Sequence, residues 1–377
     1  MVNVEELYKF LHDQEIRYFA GVPDSQLKPF CDYITGRLGI GKEHIIAANE
    51  GNAVALATGY HLATGKIGMV YMQNSGLGNA VNPITSLTDP EVYAVPVIYM
   101  IGWRGQPGVK DEPQHVKQGK ITLDLLKLLG IDYYIISKET TMRDLADVYG
   151  GSFSKLLKQG KSVAFVVEKG GLQEAGLQEY KNSYPMTRER AIQIIASQLG
   201  ENDLIISTTG KASRELFEFR EKTGEGHNKD FLTVGSMGHA SMIALSVAEY
   251  SNKKVWCLDG DGAVLMHTGG LATIGKRKPV NLYHILLNNG AHESVGGMPT
   301  FSYDMNWQEA ARAFGYKLEV QAKDEEGLLN ELQRMKGMQG PILLEVFIGL
   351  GSREDLIRPT IKPSDNKKDF MWFIDMK

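Results

Sequence analysis

The sequence has few of the features that mark several classes of protein. Its 377 residues include only two cysteines, Cys31 and Cys257, which are too few for a disulfide framework and indicate a reducing compartment. No apolar run approaches the roughly 18 residues that a membrane span needs. Residues 1–6, MVNVEE, have neither a basic region nor a long apolar core. We therefore expect no signal peptide, no membrane partner and a cytoplasmic location.

Charge and glycine spacing exclude further functions. The net charge of −4 offers no basic excess to attract nucleic acid. The segment 73–80, QNSGLGNA, matches a dinucleotide-binding fingerprint only in part, because Val81 stands where the third glycine is required. A Walker A loop ending at 210–211 is excluded because Ile205 replaces its first glycine. These gaps argue against a nicotinamide dehydrogenase, while a non-catalytic regulatory subunit stays an alternative.

The composition is that of an ordinary globular protein, with 43% hydrophobic and 23% charged residues. Strand-like and helix-like segments alternate throughout, which predicts an α/β fold of two doubly wound domains with mainly parallel sheets. A segment rich in Gly, Gln, Glu and Lys at 169–185 predicts a linker, so we place the domains at 1–180 and 181–377. The two halves also echo each other, since Glu50 and Met237 have the same spacing as Asn74 and Asp261.

Polar turns follow two apolar runs in the segment 254–297. A strand at 255–258 leads into the turn 259–262, DGDG, and a helix is predicted over 263–273. A second strand at 280–287 leads into Asn288 and Asn289. In such a βαβ unit both turns lie at the carboxyl ends of parallel strands, where α/β sheets bind ligands. The oxygens of Asp261 and Asn289 suit a hard cation such as Mg²⁺ holding a diphosphate, although each turn alone is typical of a simple bend.

The motif Gly260-Asp261-Gly262, followed after 25 residues by Asn288-Asn289, resembles the signature of thiamine-diphosphate-dependent enzymes. The resemblance implies that thiamine diphosphate and Mg²⁺ are cofactors. It further implies that the metal is bound by Asp261, Asn289 and the carbonyl of Ala291. The diphosphate would be contacted by Gly260 and by the backbone of Gly262 and Ala263.

The same resemblance assigns residues in the other turns. The segment 49–53, NEGNA, resembles the family's glutamate site, so Glu50 would hydrogen-bond the aminopyrimidine ring and promote loss of the thiazolium proton. Taken alone, Glu50 could simply complement a helix dipole. Met237 matches the apolar wedge that bends the cofactor, and the Gly235 carbonyl matches an acceptor for the ring amino group. Further cofactor contacts are predicted at Asn74, Thr208, Thr209, Gly210 and Ser236, although residues 208–213 could equally form a helix cap.

A long polar loop is predicted over 102–119. Its His115 is a candidate mobile acid or base because the imidazole pKa lies near neutrality, and Glu112 is its candidate partner. The alternative is a solvated, charged loop. His292 and Glu293 are further candidates for the group that protonates the product. Candidate substrate contacts are Asp24 and Ser25, which follow the first strand, and the cationic side chains Arg104, Lys110 and Lys117.

Within the family, the segments 21–25, 74–79, 111–115 and 289–297 resemble phosphonopyruvate decarboxylases, with sulfopyruvate decarboxylases as near neighbours. The resemblance implies non-oxidative decarboxylation of 3-phosphonopyruvate to phosphonoacetaldehyde and CO₂. Sulfopyruvate or another small anionic 2-oxo acid is the alternative substrate. It also implies a cofactor shared between the first domain of one subunit and the second domain of another, hence a homodimer or higher homo-oligomer.

Overall fold

The structure, a computed structural model, describes residues 1–174, 178 and 180–375. The chain divides into two compact units, Met1–Glu179 and Tyr180–Lys377. Each unit is built on its own six-stranded parallel sheet with helices packed on it, which confirms the predicted fold class. No helix in the described part of the chain combines the length and the apolar character needed to cross a membrane.

The first unit is organised around the parallel sheet β3-β2-β4-β5-β7-β6, and a small parallel pair joins β1 to β8. Short 3₁₀ or π turns cover Asn74–Gly76, Ile84–Thr88 and Tyr149–Phe153. The strands and helices are β1 Val2–Asn3, α1 Val4–Asp13, β2 Phe19–Gly21, α2 Lys28–Leu38, β3 His44–Ile46, α3 Glu50–Thr64, β4 Gly68–Gln73, α4 Leu77–Pro83, β5 Val97–Gly102, α5 Pro113–Leu128, β6 Asp132–Ile136, α6 Met142–Val148, α7 Ser154–Lys158, β7 Val163–Val167 and β8 Leu172–Gln173.

The second unit is organised around the parallel sheet β10-β9-β11-β12-β16-β15, and a small antiparallel pair joins β13 to β14. Short 3₁₀ turns cover Glu293–Val295 and Ser302–Asp304. The strands and helices are α8 Arg188–Gln198, β9 Leu204–Ser207, α9 Lys211–Thr223, β10 Asp230–Leu232, α10 Ala240–Tyr250, β11 Val255–Gly260, α11 Asp261–Met266, α12 Gly269–Arg277, β12 Leu282–Asn288, β13 Ala291–His292, β14 Met298–Pro299, α13 Trp307–Phe314, β15 Leu318–Ala322, α14 Glu325–Met335, β16 Ile342–Phe347 and α15 Pro363–Asp375.

The two sheets have the same topology. When the six strands of each sheet are numbered along the chain, both sheets follow the order 2-1-3-4-6-5. This result confirms the prediction of two domains of similar topology. Because all strands in each sheet are parallel, the turns that follow them gather at one edge, which is where the candidate residues of each unit lie.

The helices begin where the sequence supplies caps. Helix α3 begins at Glu50 because the side chain of Asn49 accepts a hydrogen bond from the backbone N–H of Asn52. It ends at Thr64, and the next residue, Gly65, has a left-handed conformation that suits glycine. This start places the Glu50 carboxyl group at the carboxyl end of β3, on the first turn of a helix that packs into the core.

Two local predictions were wrong. The helix predicted over 263–273 is divided into α11 and α12 by His267 and Thr268, which lie outside both helices. Only the first part of the segment 102–119 is a loop as predicted, because helix α5 begins at Pro113. Proline is favoured at the first helical position, where no N–H is needed, so Pro113 was a start signal rather than a loop signal.

Candidate functional site

The metal-binding candidates of the second unit follow two neighbouring strands. In the ladder of β11 and β12, Gly260 lies opposite Leu287, so the turns that follow are adjacent. Asp261 begins α11 and is 3% exposed, and Asn289 is 5% exposed. The Asp261 carboxylate accepts a hydrogen bond of 2.5 Å from the Thr300 hydroxyl and another from the backbone N–H of Asn289. The structure therefore brings Asp261 and Asn289 together.

Asp261 is a buried acid surrounded by neutral donors. Burial raises its pKa to about 7, although hydrogen bonds from the Thr300 hydroxyl and from backbone N–H groups act in the opposite direction. Neutral donors offset only part of the cost of burying a carboxylate. A divalent cation would supply the missing positive charge, and the oxygens of Asp261 and Asn289 are the ligands that Mg²⁺ prefers.

A hydrogen bond fixes the orientation of the Asn289 side chain. Its Nδ2 donates to Oε2 of Glu293 over 2.9 Å, and its Oδ1 accepts from the backbone N–H of Ala291 over 3.1 Å. A carboxylate can only accept, so the amide must turn its NH₂ group toward Glu293. The carboxamide oxygen is consequently directed away from Glu293, where a cation can use its second lone pair.

Glu293 is held as an anion by two cationic side chains. Arg188 donates two hydrogen bonds of 3.1 Å to it, and Lys211 Nζ lies 3.2 Å from Oε1. Burial raises the pKa of Glu293, but the charges of Arg188 and Lys211 outweigh it and hold the pKa below the usual range. Glu215 in turn accepts two hydrogen bonds from the guanidinium of Arg188, of 2.7 and 2.8 Å. An ionised Glu293 has no proton to give, so these ion pairs do not favour its role as an acid, which stays a prediction.

Two predicted cofactor residues, Gly262 and Met237, lie beside the catalytic candidate His292. A Cβ placed on Gly262 would lie 3.1 Å from Cε1 of His292 and 3.4 Å from Cε of Met237. Glycine at 262 therefore keeps open a narrow space between the two side chains. Burial lowers the pKa of His292 to about 4, so its imidazole is neutral near pH 7.

The loops after β9 and β10 are joined by one hydrogen bond, in which the backbone N–H of Gly235 donates to Oγ1 of Thr209 over 2.9 Å. Gly210 and Gly235 have positive φ angles of 96° and 71°, which glycine adopts without strain. Ser236 also has a positive φ, 48°, although it is not glycine. Such a conformation is costly and is found preferentially at ligand sites. Thr208 extends the ladder, since its N–H donates to the carbonyl of Leu258.

The first unit places one buried carboxyl group at the start of α3. Glu50 is 5% exposed, and its Oε2 accepts a hydrogen bond of 2.8 Å from Asn79. A Cβ on Gly76 would lie 2.4 Å from Oε1 of Glu50, so only glycine permits this close approach. Burial raises the pKa of Glu50 despite the hydrogen bond from Asn79. A carboxyl group in this state can hydrogen-bond a ring nitrogen and share its proton.

Asp24, Ser25 and Arg104 form a polar cluster at the carboxyl ends of β2 and β5. Arg104 makes a bidentate pair with Asp111, at 2.8 and 2.5 Å, and its Nη1 donates to Ser25 over 3.0 Å. Asp24 is fully buried and accepts hydrogen bonds from the N–H of Gln26 and from the side chain of Gln73. A buried acceptor repels an anion, so the prediction that Asp24 binds the substrate is not supported. Arg104 is already paired, which weakens it as a phosphonate ligand.

Other predicted residues of the first unit have defined surroundings. His115 lies on α5 rather than in a loop and is 9% exposed, which corrects the loop location predicted for it. Burial and the charge of Arg104 lower its pKa, so the imidazole is neutral near pH 7. Glu112 is the residue that precedes α5, while Lys110 and Lys117 are exposed.

Asn74 has a structural task. It is fully buried, donates to the carbonyl of Arg104 and to Thr122, and accepts from the N–H of Arg104. These contacts use both ends of the amide to hold the loop after β5. The prediction that the Asn74 side chain binds the cofactor is therefore not supported.

Comparison with known protein families agrees with this geometry. The N-terminal TPP binding domain of thiamine pyrophosphate enzymes matches residues 1–128, and the C-terminal TPP binding domain matches residues 208–346. The chain belongs to the thiamine-diphosphate-dependent enzymes. Its cofactor is thiamine diphosphate, and the dehydrogenase alternative is set aside.

Three curated relatives cover nearly the whole chain. A phosphonopyruvate decarboxylase of Streptomyces viridochromogenes is 32% identical, with 99% of this chain and 95% of the relative aligned. A phosphonopyruvate decarboxylase of Streptomyces hygroscopicus is 31% identical, with 99% and 94% aligned. A sulfopyruvate decarboxylase of Methanosarcina acetivorans is 28% identical, with 92% and 93% aligned. The chain is thus a decarboxylase, a carboxy-lyase of the phosphonopyruvate and sulfopyruvate type, which sets the regulatory-subunit alternative aside.

Several residues of this thiamine-diphosphate-dependent decarboxylase escaped the sequence analysis. Asn79, Arg188 and Thr300 contact candidate residues, and Glu215 contacts Arg188, but none of the four belongs to a motif that assigned it a role. Arg188 reaches Glu293 from 105 positions away, so no local pattern could have indicated the pair. Asn79 was within reach of sequence reasoning, because it closes the segment 74–79 that carried part of the resemblance.

Proposed function

We propose that this enzyme decarboxylates 3-phosphonopyruvate to phosphonoacetaldehyde and CO₂, using thiamine diphosphate and Mg²⁺. The observation that carries the proposal is the match, over 99% of the chain, to two relatives named phosphonopyruvate decarboxylases. A second candidate is sulfopyruvate, which the relative from Methanosarcina acetivorans favours. Both substrates are 2-oxo acids with a second strongly anionic group.

In this proposal Asp261, Asn289 and the carbonyl of Ala291 hold Mg²⁺, which in turn holds the diphosphate. The support is the pair of buried oxygens at the ends of β11 and β12 and the neutral surroundings of Asp261. Thr209, Gly210 and Gly262 offer hydroxyl and backbone N–H groups to the diphosphate oxygens. Gly235, Ser236 and Met237 bind the rest of the cofactor.

Glu50 is proposed to bind the aminopyrimidine ring and to hold the proton that this contact requires. Its support is a buried carboxyl group with a raised pKa, fixed by Asn79. When bound, thiamine diphosphate supplies a carbon nucleophile and an electron sink for the bond that releases CO₂. Glu50 determines which nitrogen of the ring carries a proton, and the apolar residues around it exclude competing water.

The aldehyde product needs a proton where the carboxyl group was lost, and we assign this delivery to His115. Its support is a buried imidazole whose Nδ1 has no hydrogen-bond partner among the described residues. A neutral imidazole can donate from one nitrogen while it accepts at the other. For the anionic end of the substrate, Lys110 and Lys117 remain the proposed cations, because Arg104 is paired with Asp111.

The decisive experiment measures aldehyde release from phosphonopyruvate, sulfopyruvate and pyruvate, each with and without thiamine diphosphate and Mg²⁺. We expect turnover only when both cofactors are present, with the highest kcat/KM for phosphonopyruvate. A preference for sulfopyruvate would establish the second candidate, and a preference for pyruvate would refute both.

We also propose a homo-oligomer in which each active site takes Glu50 from one subunit and Asp261 from another. Mixing inactive Glu50→Gln and Asp261→Ala proteins under conditions that exchange subunits tests this. Shared sites predict that activity reappears on mixing, because some sites then contain both intact residues. If the mixture stays inactive although differently tagged chains of the two variants co-purify as mixed oligomers, each chain holds its own complete site.

A further inference from the structure

Three side chains that commonly bind metals lie together inside the second unit. Cys257 and Asp259 are two positions apart on β11, so their side chains point to the same face of the sheet. His284 on β12 is the ladder partner of Cys257. The cysteine sulfur, a carboxylate oxygen and an imidazole nitrogen all lie within 4.8 Å of one another. All three residues are 0% exposed.

The free atoms of this cluster face one another. Asp259 Oδ1 accepts from the backbone N–H of Gly260 over 3.0 Å, and His284 Nδ1 bonds the Tyr316 hydroxyl over 3.0 Å. The remaining atoms, Asp259 Oδ2 and His284 Nε2, are 3.5 Å apart. Among the described residues neither of these two atoms has a hydrogen-bond partner. Buried polar atoms are nearly always partnered, so two orphan atoms directed at each other beside a thiol require an explanation.

We propose that Cys257, Asp259 and His284 form a second metal site, which takes a zinc-like ion and is separate from the Mg²⁺ site at Asp261. Sulfur, nitrogen and oxygen ligands together are typical of Zn²⁺, whereas Mg²⁺ binds oxygen. A thiolate and a carboxylate would also balance the two charges of the ion, so the filled site would be neutral within the apolar core.

The surroundings of His284 suit this role. Histidines that bind metals usually bond a second group through the other ring nitrogen, which fixes the ring and its tautomer. Tyr316, which is 5% exposed, makes that contact at Nδ1 and leaves Nε2 directed at Asp259. The hard-oxygen site and the mixed site would thus select their ions by ligand chemistry, although Asp259 and Asp261 are only two positions apart.

Because the cluster is fully enclosed, its ion would be bound while the sheet forms and retained afterwards. The test therefore uses the full chain produced in medium supplied with Zn²⁺, or with Co²⁺ in its place, followed by removal of loosely held ions with a chelator. We expect about one Zn²⁺ per folded chain by elemental analysis. We also expect the Co²⁺ protein to show a thiolate-to-cobalt charge-transfer band.

The two cysteines of the chain provide a matched pair of variants. Cys31 is also fully buried but lies in the first unit, so Cys31→Ser should keep the ion and the charge-transfer band. Cys257→Ser, a change of similar size, should lose both. A band that survives in Cys257→Ser, or that disappears in Cys31→Ser, would overturn the assignment.

The wild-type protein tests the proposal even if Cys257→Ser does not fold. A folded wild-type chain that carries neither Zn²⁺ nor a thiolate band would refute the site, and the three residues would then form only a buried polar contact. This outcome would leave the decarboxylase proposal untouched, because aldehyde release depends on Asp261 and Asn289 rather than on Cys257.

Discussion

Replacing Glu293 with leucine should weaken Mg²⁺ binding rather than remove a proton donor. The Glu293 side chain is 9% exposed, and it accepts the hydrogen bond that turns the Asn289 oxygen away from it. A hydrogen bond to a charged group contributes about 1.5–3 kcal/mol. Losing the bond that orients a metal ligand should therefore raise the dissociation constant for Mg²⁺ by roughly tenfold to a hundredfold.

Calorimetric titration of thiamine diphosphate at several Mg²⁺ concentrations measures this change without any turnover. Glu325→Leu serves as the control, because Glu325 is 47% exposed and pairs with Arg190 at 3.0 and 2.8 Å on the surface. Exposed pairs of this kind contribute little, so this variant should bind Mg²⁺ as the wild type does. Glu293→Gln, which keeps one oxygen for the amide of Asn289, should lose less affinity than Glu293→Leu.

The same substitution in Asn289→Asp protein separates the effect of Glu293 on the orientation of the metal ligand from the effect of its charge. In Asn289→Asp protein the side chain offers an oxygen in either orientation, so the loss caused by Glu293→Leu should be much smaller there. An equal loss in both backgrounds would refute the orientation argument and leave only an effect of charge or folding. Unchanged Mg²⁺ affinity together with lost turnover would restore Glu293 as a catalytic acid.

Three further predictions follow from the buried groups. Glu50→Gln should keep the fold and lower kcat by about 10²-fold or more, measured by aldehyde release, and near-normal turnover would remove Glu50 from the mechanism. Asp261→Ala should abolish Mg²⁺-dependent binding of thiamine diphosphate in calorimetry, and unchanged affinity would reject the metal site. Burial lowers the pKa of His44 from 6.5 to about 4. Between these two pH values His44 is therefore protonated in the unfolded chain but neutral in the folded one. The free energy of unfolding should consequently fall by about 3 kcal/mol as the pH drops from 6.5 to 4, and His44→Gln should flatten this dependence in urea titrations. A slope that is the same in His44→Gln would contradict that explanation.

Sequence reasoning succeeded where the information is local. The alternation of strands and helices indicated two α/β units, and the apolar runs before Asp261 and Asn289 placed both residues at neighbouring strand ends. Pro113 shows how a local signal was misread, because proline opened a helix inside a segment that looked like a polar loop. The division between α11 and α12 was missed although Gly269 and Gly270 directly follow His267 and Thr268, and a pair of glycines is a signal for a helix interruption.

The roles of charged residues were harder to predict because they depend on distant partners. Arg104 is a cation in the sequence, yet Asp111 occupies its guanidinium in the structure. Glu293 is a possible acid in the sequence, yet Arg188 and Lys211 keep it ionised. Asn74 follows a strand, as a ligand should, yet its amide is used by the loop after β5. In each case the folded contacts determine which functional group remains available.

The pairing of β1 with β8 has a practical consequence for protein engineering. Val2 is the ladder partner of Leu172, so the start of the first unit and its last strand are neighbours. Domains whose two ends lie close together tolerate circular permutation well. A short glycine-serine linker would join the end of β8 to the start of β1, and new chain termini would be placed in the exposed segment around Val92 and Tyr93. This change should give a circularly permuted first unit.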